Sequence, residues 1–137
     1  MITNIYLNFP GNCAEALSYY EQHLGAKTTS KLTFEQMPPK NMPPGMKITD
    51  VLHARFKVGD AELMASDGPA DHVQPMRSAY VAIRVDSTPE AERIYKVLTD
   101  GGEVFMPMEE TFFAHRFGQL RDKFGINWMI LHEKPMA

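Results

Sequence analysis

One succession of sequence signals occurs twice along the 137 residues, and this repeat restricts the fold more than any other feature. Each copy opens with an alternating apolar strand, at residues 5–9 and 80–85, and continues into a helix that ends at a glycine. Three further strand-like segments follow in each copy. The sequence therefore predicts the order β-α-β-β-β twice in succession.

Local signals set the predicted bounds of the elements. Asn12 followed by Glu15 is typical of a capping box, and Gly25 of a helix C-terminus. Ser87 and the early Pro89 predict the start of the second helix. The remaining strands are predicted at 27–34, 51–58, 61–66, 103–106, 114–120 and 127–131. The copies align Tyr6 with Tyr80, Ala16 with Ala91, Tyr20 with Tyr95, Gly25 with Gly101 and Met64 with Met129.

A single such unit is a small open sheet with a helix on one face, which cannot cover its apolar surface alone. We therefore expect one α+β domain over residues 1–137, with repeat one at about 1–68 and repeat two at about 76–134. Two units side by side form an open, partly closed barrel with the helices outside and a concave interior. A concave interior is the usual location of a ligand site.

Composition excludes several classes of protein. The formal net charge of −3, without a cluster of basic residues, argues against nucleic-acid binding. No apolar run reaches the length of a membrane span, and no secretory leader is recognisable. The lone Cys13 fits a reducing cytoplasm, either as a nucleophile at the start of a helix or as a small packed residue. The Met- and Pro-rich segment 35–49 predicts either a lid or a plain connecting loop.

Several local strings carry a resemblance to a known family. They lie at residues 6–16, 19–20, 53–56, 62–67, 111–118, 122–125 and 128–129. Together with the tandem repeat, they resemble the PhnB-like branch of the vicinal-oxygen-chelate superfamily, which includes glyoxalases, bleomycin-resistance proteins and dioxygenases. Members of this branch are often described as 3-demethylubiquinone 3-methyltransferase-like. The sequence itself gives no support for methyl transfer, because it has no Gly-rich strand-to-helix turn that could hold a nucleotide-like cofactor.

The resemblance also implies where a metal would bind. Metal-dependent members carry one ligand on the first and last strand of each repeat. The corresponding residues here are Tyr6, Met64, Tyr80 and Met129. None is a usual ligand for a divalent metal, and a one-residue shift would add only Asn8 or Glu62. We therefore predict no metal and no other cofactor.

Strand alternation identifies the side chains that face the concave interior. The candidate ligand-binding residues are Tyr6, Asn8, Arg55, Glu62, Met64, Tyr80, Arg84, Asn127 and Met129. His53 is the candidate general acid–base, since imidazole titrates near neutral pH, although a structural histidine is an alternative. Arg55 and Arg84 could each hold an anionic group, or could instead be solvated or paired with Glu62.

These candidates support three functional hypotheses. The first is a metal-free module that binds a small, partly apolar ligand, with or without an anionic group. The second is a metal-independent enzyme that acts on a small oxygenated metabolite with His53 as acid–base. The third, a metal-dependent lyase or dioxygenase, is disfavoured by the missing ligands. We also predict a homodimer, because open sheets leave edges that a second chain commonly covers.

Overall fold

The computed structural model describes residues 1–36 and 40–135 and contains two compact units, Met1–Gln74 and Pro75–Ala137. The first unit consists of β1 (Ile5–Phe9), α1 (Cys13–Leu24), β2 (Lys27–Thr33), β3 (Val51–Val58) and β4 (Ala61–Asp67). The second consists of β5 (Val81–Arg84), α2 (Thr88–Thr99), β6 (Glu103–Glu109), β7 (Ala114–Arg121) and β8 (Asn127–Glu133). The predicted α+β class and the doubled β-α-β-β-β order are confirmed. Residues 37–39 of the Met- and Pro-rich segment lie outside the described residues.

Each unit contains one four-stranded mixed sheet. The strand order is β1-β4-β3-β2 in the first sheet and β5-β8-β7-β6 in the second. The pairs β1–β4 and β5–β8 are parallel, and the other neighbouring strands are antiparallel. Both sheets are open, so within residues 1–36 and 40–135 the strands form no closed barrel.

The core of the first unit lies between its sheet and α1. Leu7 and Phe9 of β1 are buried, and the ring of Tyr20 on α1 stacks on Phe56 of β3 with centroids 6.3 Å apart. Ile5, which the alternation predicts to pack under the helix, is 46% exposed. The reason is its position at the beginning of an edge strand, whereas α1 packs over β2, β3 and β4.

The N-terminus of α1 differs from the predicted capping box. The Asn12 side chain makes no capping hydrogen bond. Instead, Oδ1 of Asp67, at the end of β4, accepts hydrogen bonds from the backbone N–H groups of Gly11 (3.0 Å) and Cys13 (2.8 Å). Its Oδ2 accepts a third from the N–H of Val51 at 2.8 Å. One carboxylate from a distant strand therefore replaces the local cap.

In the second unit, α2 packs on β7, β8 and β6 and begins as predicted, with Ser87 Oγ accepting from the backbone N–H of Glu90. Asp122 forms a turn by accepting hydrogen bonds from the backbone N–H groups of Phe124 (2.9 Å) and Ile126 (3.0 Å). Its second oxygen accepts from Nε1 of the buried Trp128 at 2.8 Å. In the described part of the chain, neither helix has the length and apolar character needed to span a membrane.

Candidate functional site

The face of the first sheet opposite α1 carries most of the candidate residues from the first repeat. The register pairs Tyr6 of β1 with Met64 of β4, and Met64 with Arg55 of β3. Directly opposed residues in a sheet point to the same face, so these three side chains form one row across three strands. His53 lies two residues before Arg55 and therefore shares their face.

Tyr6 and His53 are joined by a hydrogen bond across this face. The Tyr6 hydroxyl lies 3.0 Å from Nδ1 of His53, and the two ring centroids are 5.6 Å apart. The phenol engages one imidazole nitrogen and so fixes the orientation of the ring. Nε2 of His53 is the nitrogen that a ligand could then meet.

The other polar candidates on this face also have partners within the first unit. Nη1 of Arg55 lies 3.3 Å from Oε1 of Glu62, with side chains 50% and 31% exposed. This ion pair is one of the alternatives considered from the sequence. Oδ1 of Asn8 accepts a hydrogen bond from the hydroxyl of Ser66 at 3.0 Å. The partial exposure of Arg55 leaves room for an anion to contact its guanidinium.

The second sheet presents a more apolar face opposite α2. Met129 is paired with Ala82 of β5 and with Gln119 of β7, and Leu131 with Arg84 and Phe117. An apolar cluster forms here from Ala114, Phe117 and Leu131, with Met106, Phe113 and Met129 packed against it. The Arg84 side chain is 75% exposed and lies 3.3 Å from Oε1 of Glu133.

Asn127 and Tyr80 make contacts within the second unit. Asn127 is fully buried, and its Nδ2 donates to the carbonyl oxygens of Arg77 (3.1 Å) and Ala79 (3.0 Å). Its Oδ1 accepts from Nε of Arg121 at 3.0 Å. Tyr80 precedes β5 and packs edge-on against Phe105. That the candidates of both sheets line one concave site stays a prediction.

The strand pairing shows which residues of the two units correspond at the metal-ligand positions that the resemblance implies. In the first unit Met64 is paired with Tyr6, whereas in the second Met129 is paired with Ala82. Ala82, rather than Tyr80, therefore corresponds to Tyr6. The resulting set of one phenol, two thioethers and a methyl group does not fit a divalent metal. Among the described residues, no group of three or more His, Cys, Asp or Glu could hold a metal ion.

Three residues with clear structural roles were missed as candidates by sequence reasoning. Asp67 bonds three backbone N–H groups, Arg121 binds Asn127, and His132 contacts both His115 and Thr88. The contact between Arg121 and Asn127 is local. The contacts of Asp67 and His132 join residues far apart along the chain or depend on a strand register. A signal of that kind is not contained in local periodicity.

Comparisons with known proteins agree with this fold. The family described as "3-demethylubiquinone-9 3-methyltransferase" matches residues 2–131. Protein YjdN of Escherichia coli is 34% identical over 133 residues, covering 91% of this chain and 90% of that protein. The crystal structure of protein PA1353 from Pseudomonas aeruginosa is 37% identical, with a TM-score of 0.84 over 98% of this chain and 99% of that one.

More distant structures share the architecture. A PhnB protein from Bacillus cereus, described as a putative 3-demethylubiquinone-9 3-methyltransferase, is 24% identical, with a TM-score of 0.80 over 96% of this chain and 99% of that one. The fosfomycin resistance protein FosX from Listeria monocytogenes has a TM-score of 0.67 at 11% identity, which shows the fold alone; 96% of this chain and 90% of that one are covered. The chain belongs to the family described as 3-demethylubiquinone-9 3-methyltransferase.

Proposed function

We propose that this protein binds a small, partly apolar ligand carrying an anionic group, without a metal, on the sheet face opposite α1. The observation that carries the proposal is the row of Tyr6, Met64 and Arg55 across three adjacent strands, with His53 bonded to Tyr6. An aromatic ring and a thioether give an adaptable apolar surface, and a few polar groups orient the ligand.

Arg55 is the proposed contact for the anionic group. Its guanidinium is half exposed and pairs with Glu62 through a 3.3 Å contact, so an incoming carboxylate or phosphonate competes with Glu62 for it. Arg84 is 75% exposed, and a solvated arginine contributes less to binding than a partly desolvated one. We therefore expect Arg55 to contribute more to ligand affinity than Arg84 does.

Ligand-observed NMR with a panel of small aryl carboxylates and alkyl phosphonates, in the presence of a chelator, tests the proposal. Alkyl phosphonates belong in the panel because a FosX structure contains 1S,2S-dihydroxypropylphosphonic acid together with Mn(II). Arg55→Gln should weaken a bound anion about tenfold, the loss of one charge-assisted hydrogen bond. Lys96→Gln, which removes one positive charge from the last turn of α2 in the other unit, is the control. Equal weakening by both variants would show attraction to net charge alone.

Metal independence has its own test. The proposal requires that the purified chain, dialysed against chelator, retains no stoichiometric Zn²⁺, Ni²⁺, Mn²⁺ or Fe²⁺ when measured by elemental analysis. The reason is the donor chemistry at Tyr6, Met64, Ala82 and Met129. One tightly held metal per chain that disappears in Glu62→Gln or His53→Asn would contradict metal-free binding.

A second candidate function is favoured by the hydrogen bond between the Tyr6 hydroxyl and His53 Nδ1. A phenol that holds one imidazole nitrogen leaves the other to transfer a proton, so His53 could be the acid–base of a metal-independent enzyme. Turnover of a small oxygenated substrate with chelator present, lost in His53→Asn and reduced in Tyr6→Phe, would support this function over binding alone. Binding that persists without turnover favours the first proposal.

Methyl transfer does not form part of the proposal, although the family is described by it. The connections from β1 to α1 and from β5 to α2 are the short segments 10–12 and 85–87. Neither contains the glycine pattern that lets a backbone approach a nucleotide-like cofactor.

A further inference from the structure

Two histidines lie against each other on the second sheet. The ring centroids of His115 on β7 and His132 on β8 are 4.7 Å apart, with the ring planes inclined at 44°. Two imidazoles bound to one metal ion at ~2.1 Å, with an angle between 90° and the tetrahedral value, place their centroids roughly 4.5–5.2 Å apart. The observed separation falls within that range.

An irregularity in the strand register brings the two rings together. Ala114 is paired with Glu133 and Arg116 with His132, so both His115 and Arg116 face the single residue His132. Such a bulge redirects a side chain that regular alternation would send to the opposite face of the sheet. The ring contact shows His115 directed towards His132.

The helix side of the second sheet fixes the orientation of one ring. Nδ1 of His132 lies 3.2 Å from the hydroxyl of Thr88, the first residue of α2. Histidine ligands of metals usually have their second ring nitrogen bonded in this way, which orients the ring and determines which nitrogen faces the metal. His132 therefore has Nε2 as its ligand nitrogen, and the exposed His115 ring beside it supplies the second imidazole.

The charged groups next to the pair occur in ion pairs. Arg116 contacts Glu92 of α2, and Nζ of Lys134 lies 3.0 Å from Oε2 of Glu110. Each of these two cations is thus paired with a carboxylate, which reduces its repulsion of a divalent cation. Imidazole is a favoured ligand of Cu²⁺, Ni²⁺ and Zn²⁺, in contrast to Mg²⁺ or Ca²⁺.

We propose that His115 and His132 form a surface site for a divalent transition-metal ion, with preference for Cu²⁺ over Zn²⁺ and with water in the remaining positions. The site shares no residue with the proposed ligand site: His132 lies on the α2 side of the second sheet, and the proposed ligand face belongs to the first sheet. With two protein ligands the bound ion exchanges readily, so chelator removes it during purification.

Titration of the full chain, without an affinity tag, with Cu²⁺ alone tests the site by calorimetry and by paramagnetic broadening of the imidazole NMR signals. We expect one ion per chain and broadening strongest at both histidines. His115→Ala and His132→Gln should each lower the affinity for Cu²⁺ by more than about tenfold. Loss of a residue that merely supports a metal ligand already lowers metal affinity by about 10–100-fold. His72→Ala, which removes another exposed imidazole, is the matched control and should leave the affinity unchanged.

Three results would overturn the two-histidine site. They are an affinity for Cu²⁺ that neither variant changes, broadening centred on His53, and loss in only one of the two variants. The last result would indicate binding to a single surface imidazole. Circular dichroism of both variants verifies that they fold. Because the probe is the metal alone, failure here leaves the proposed ligand binding untouched, and the converse also holds.

Discussion

Cys13, at the start of α1, is fully buried. Burial, together with the nearby Asp67 carboxyl, raises the pKa of the Cys13 thiol to about 12. The thiolate is the nucleophilic form of cysteine, so this side chain is unreactive at neutral pH. The sequence left two roles open for Cys13, a nucleophile or a small packed residue, and its burial agrees with the packed residue.

Thiol labelling gives the first prediction. At pH 8 in the folded chain, a disulfide reagent such as dithionitrobenzoate should not label Cys13 within minutes, because the sulfur is neither exposed nor ionised. Addition of denaturant should release one reactive thiol per chain. Rapid stoichiometric labelling of the folded protein would instead support the nucleophile hypothesis.

Asp67 is buried, and two opposing effects act on its carboxyl. Desolvation by burial raises the pKa of Asp67, while the three backbone N–H donors lower it, and the net direction is upward. A carboxyl whose pKa is higher in the folded state binds its proton more tightly there. Its contribution to stability is therefore fully present below the unfolded-state pKa and is lost as the pH rises through the folded-state pKa.

The second prediction follows from that sign. The free energy of unfolding of the wild type, relative to Asp67→Asn, should increase as the pH falls through the acidic range, because asparagine does not titrate there. Urea unfolding at a series of pH values measures the difference. A relative loss of wild-type stability on acidification would mean that the N–H donors from Gly11, Cys13 and Val51 dominate over desolvation.

Among individual site residues, the sequence predicts which face a side chain occupies better than what it contacts. Leu7 and Phe9 are buried and Tyr6 and Asn8 exposed, as the alternation of β1 indicates. The Tyr6–His53 hydrogen bond could not be predicted, because it crosses β4 and depends on two registers at once. The alternation of apolar and polar residues indicates only the face on which a side chain lies. The pairing of the strands determines which residue it contacts.

At the scale of elements, strong local signals agree with the structure and long-range ones do not appear in the sequence. Gly25 adopts the left-handed conformation, with a φ of 67°, that the end of α1 was predicted to need. Asn12, in contrast, does not cap α1. The carboxylate of Asp67, which is 54 residues from Cys13 along the chain, bonds the N-terminus of α1 instead. The bulge at His115 likewise depends on the pairing of β7 with β8.

The packing of α2 on β7 requires a glycine. A Cβ at Gly118 would lie 2.7 Å from Sδ of Met108 and 2.8 Å from Cε2 of Tyr95. The Tyr95 hydroxyl also donates to the carbonyl of Met106 at 3.2 Å, which holds the ring over the glycine. Gly118 thus allows the helix to approach the sheet closely.

The third prediction is that Gly118→Ala destabilises the chain by about 1–3 kcal/mol, because the methyl group overpacks this contact. Thermal or urea unfolding measures the change. In a Tyr95→Ala background the same substitution should cost less, since the ring that it strikes is gone. An equal cost in both backgrounds would assign the effect to Met108 or to the backbone of β7 rather than to the ring.

At the scale of the whole chain, the repeat was recognisable because each copy carries its own local caps and stops. The strand register of the repeat was not recognisable. The sequence alignment matches Tyr6 with Tyr80, whereas the residue paired with Met129 in the structure is Ala82, two residues further along. A shift of two residues keeps every side chain on the same face. The register therefore changes which residue lies opposite Met129 without changing the face that the alternation assigns to it.

The last prediction concerns assembly into a homodimer. Each open sheet has two edge strands, and several apolar side chains lie exposed at or near them. These are Ile5 at 46%, Val104 at 52%, Phe105 at 38% and Phe112 at 92%. Unpaired edges and exposed aromatic rings are costly in water, and a second copy related by a two-fold axis covers both. We therefore expect a stable dimer at micromolar concentration by light scattering.

Phe112→Ser should weaken the dimer with an unchanged circular dichroism spectrum, because the ring makes little contribution to the core. Thr49→Ser, at another exposed position, is the control. A wild-type chain that stays monomeric at micromolar concentration would contradict the dimer.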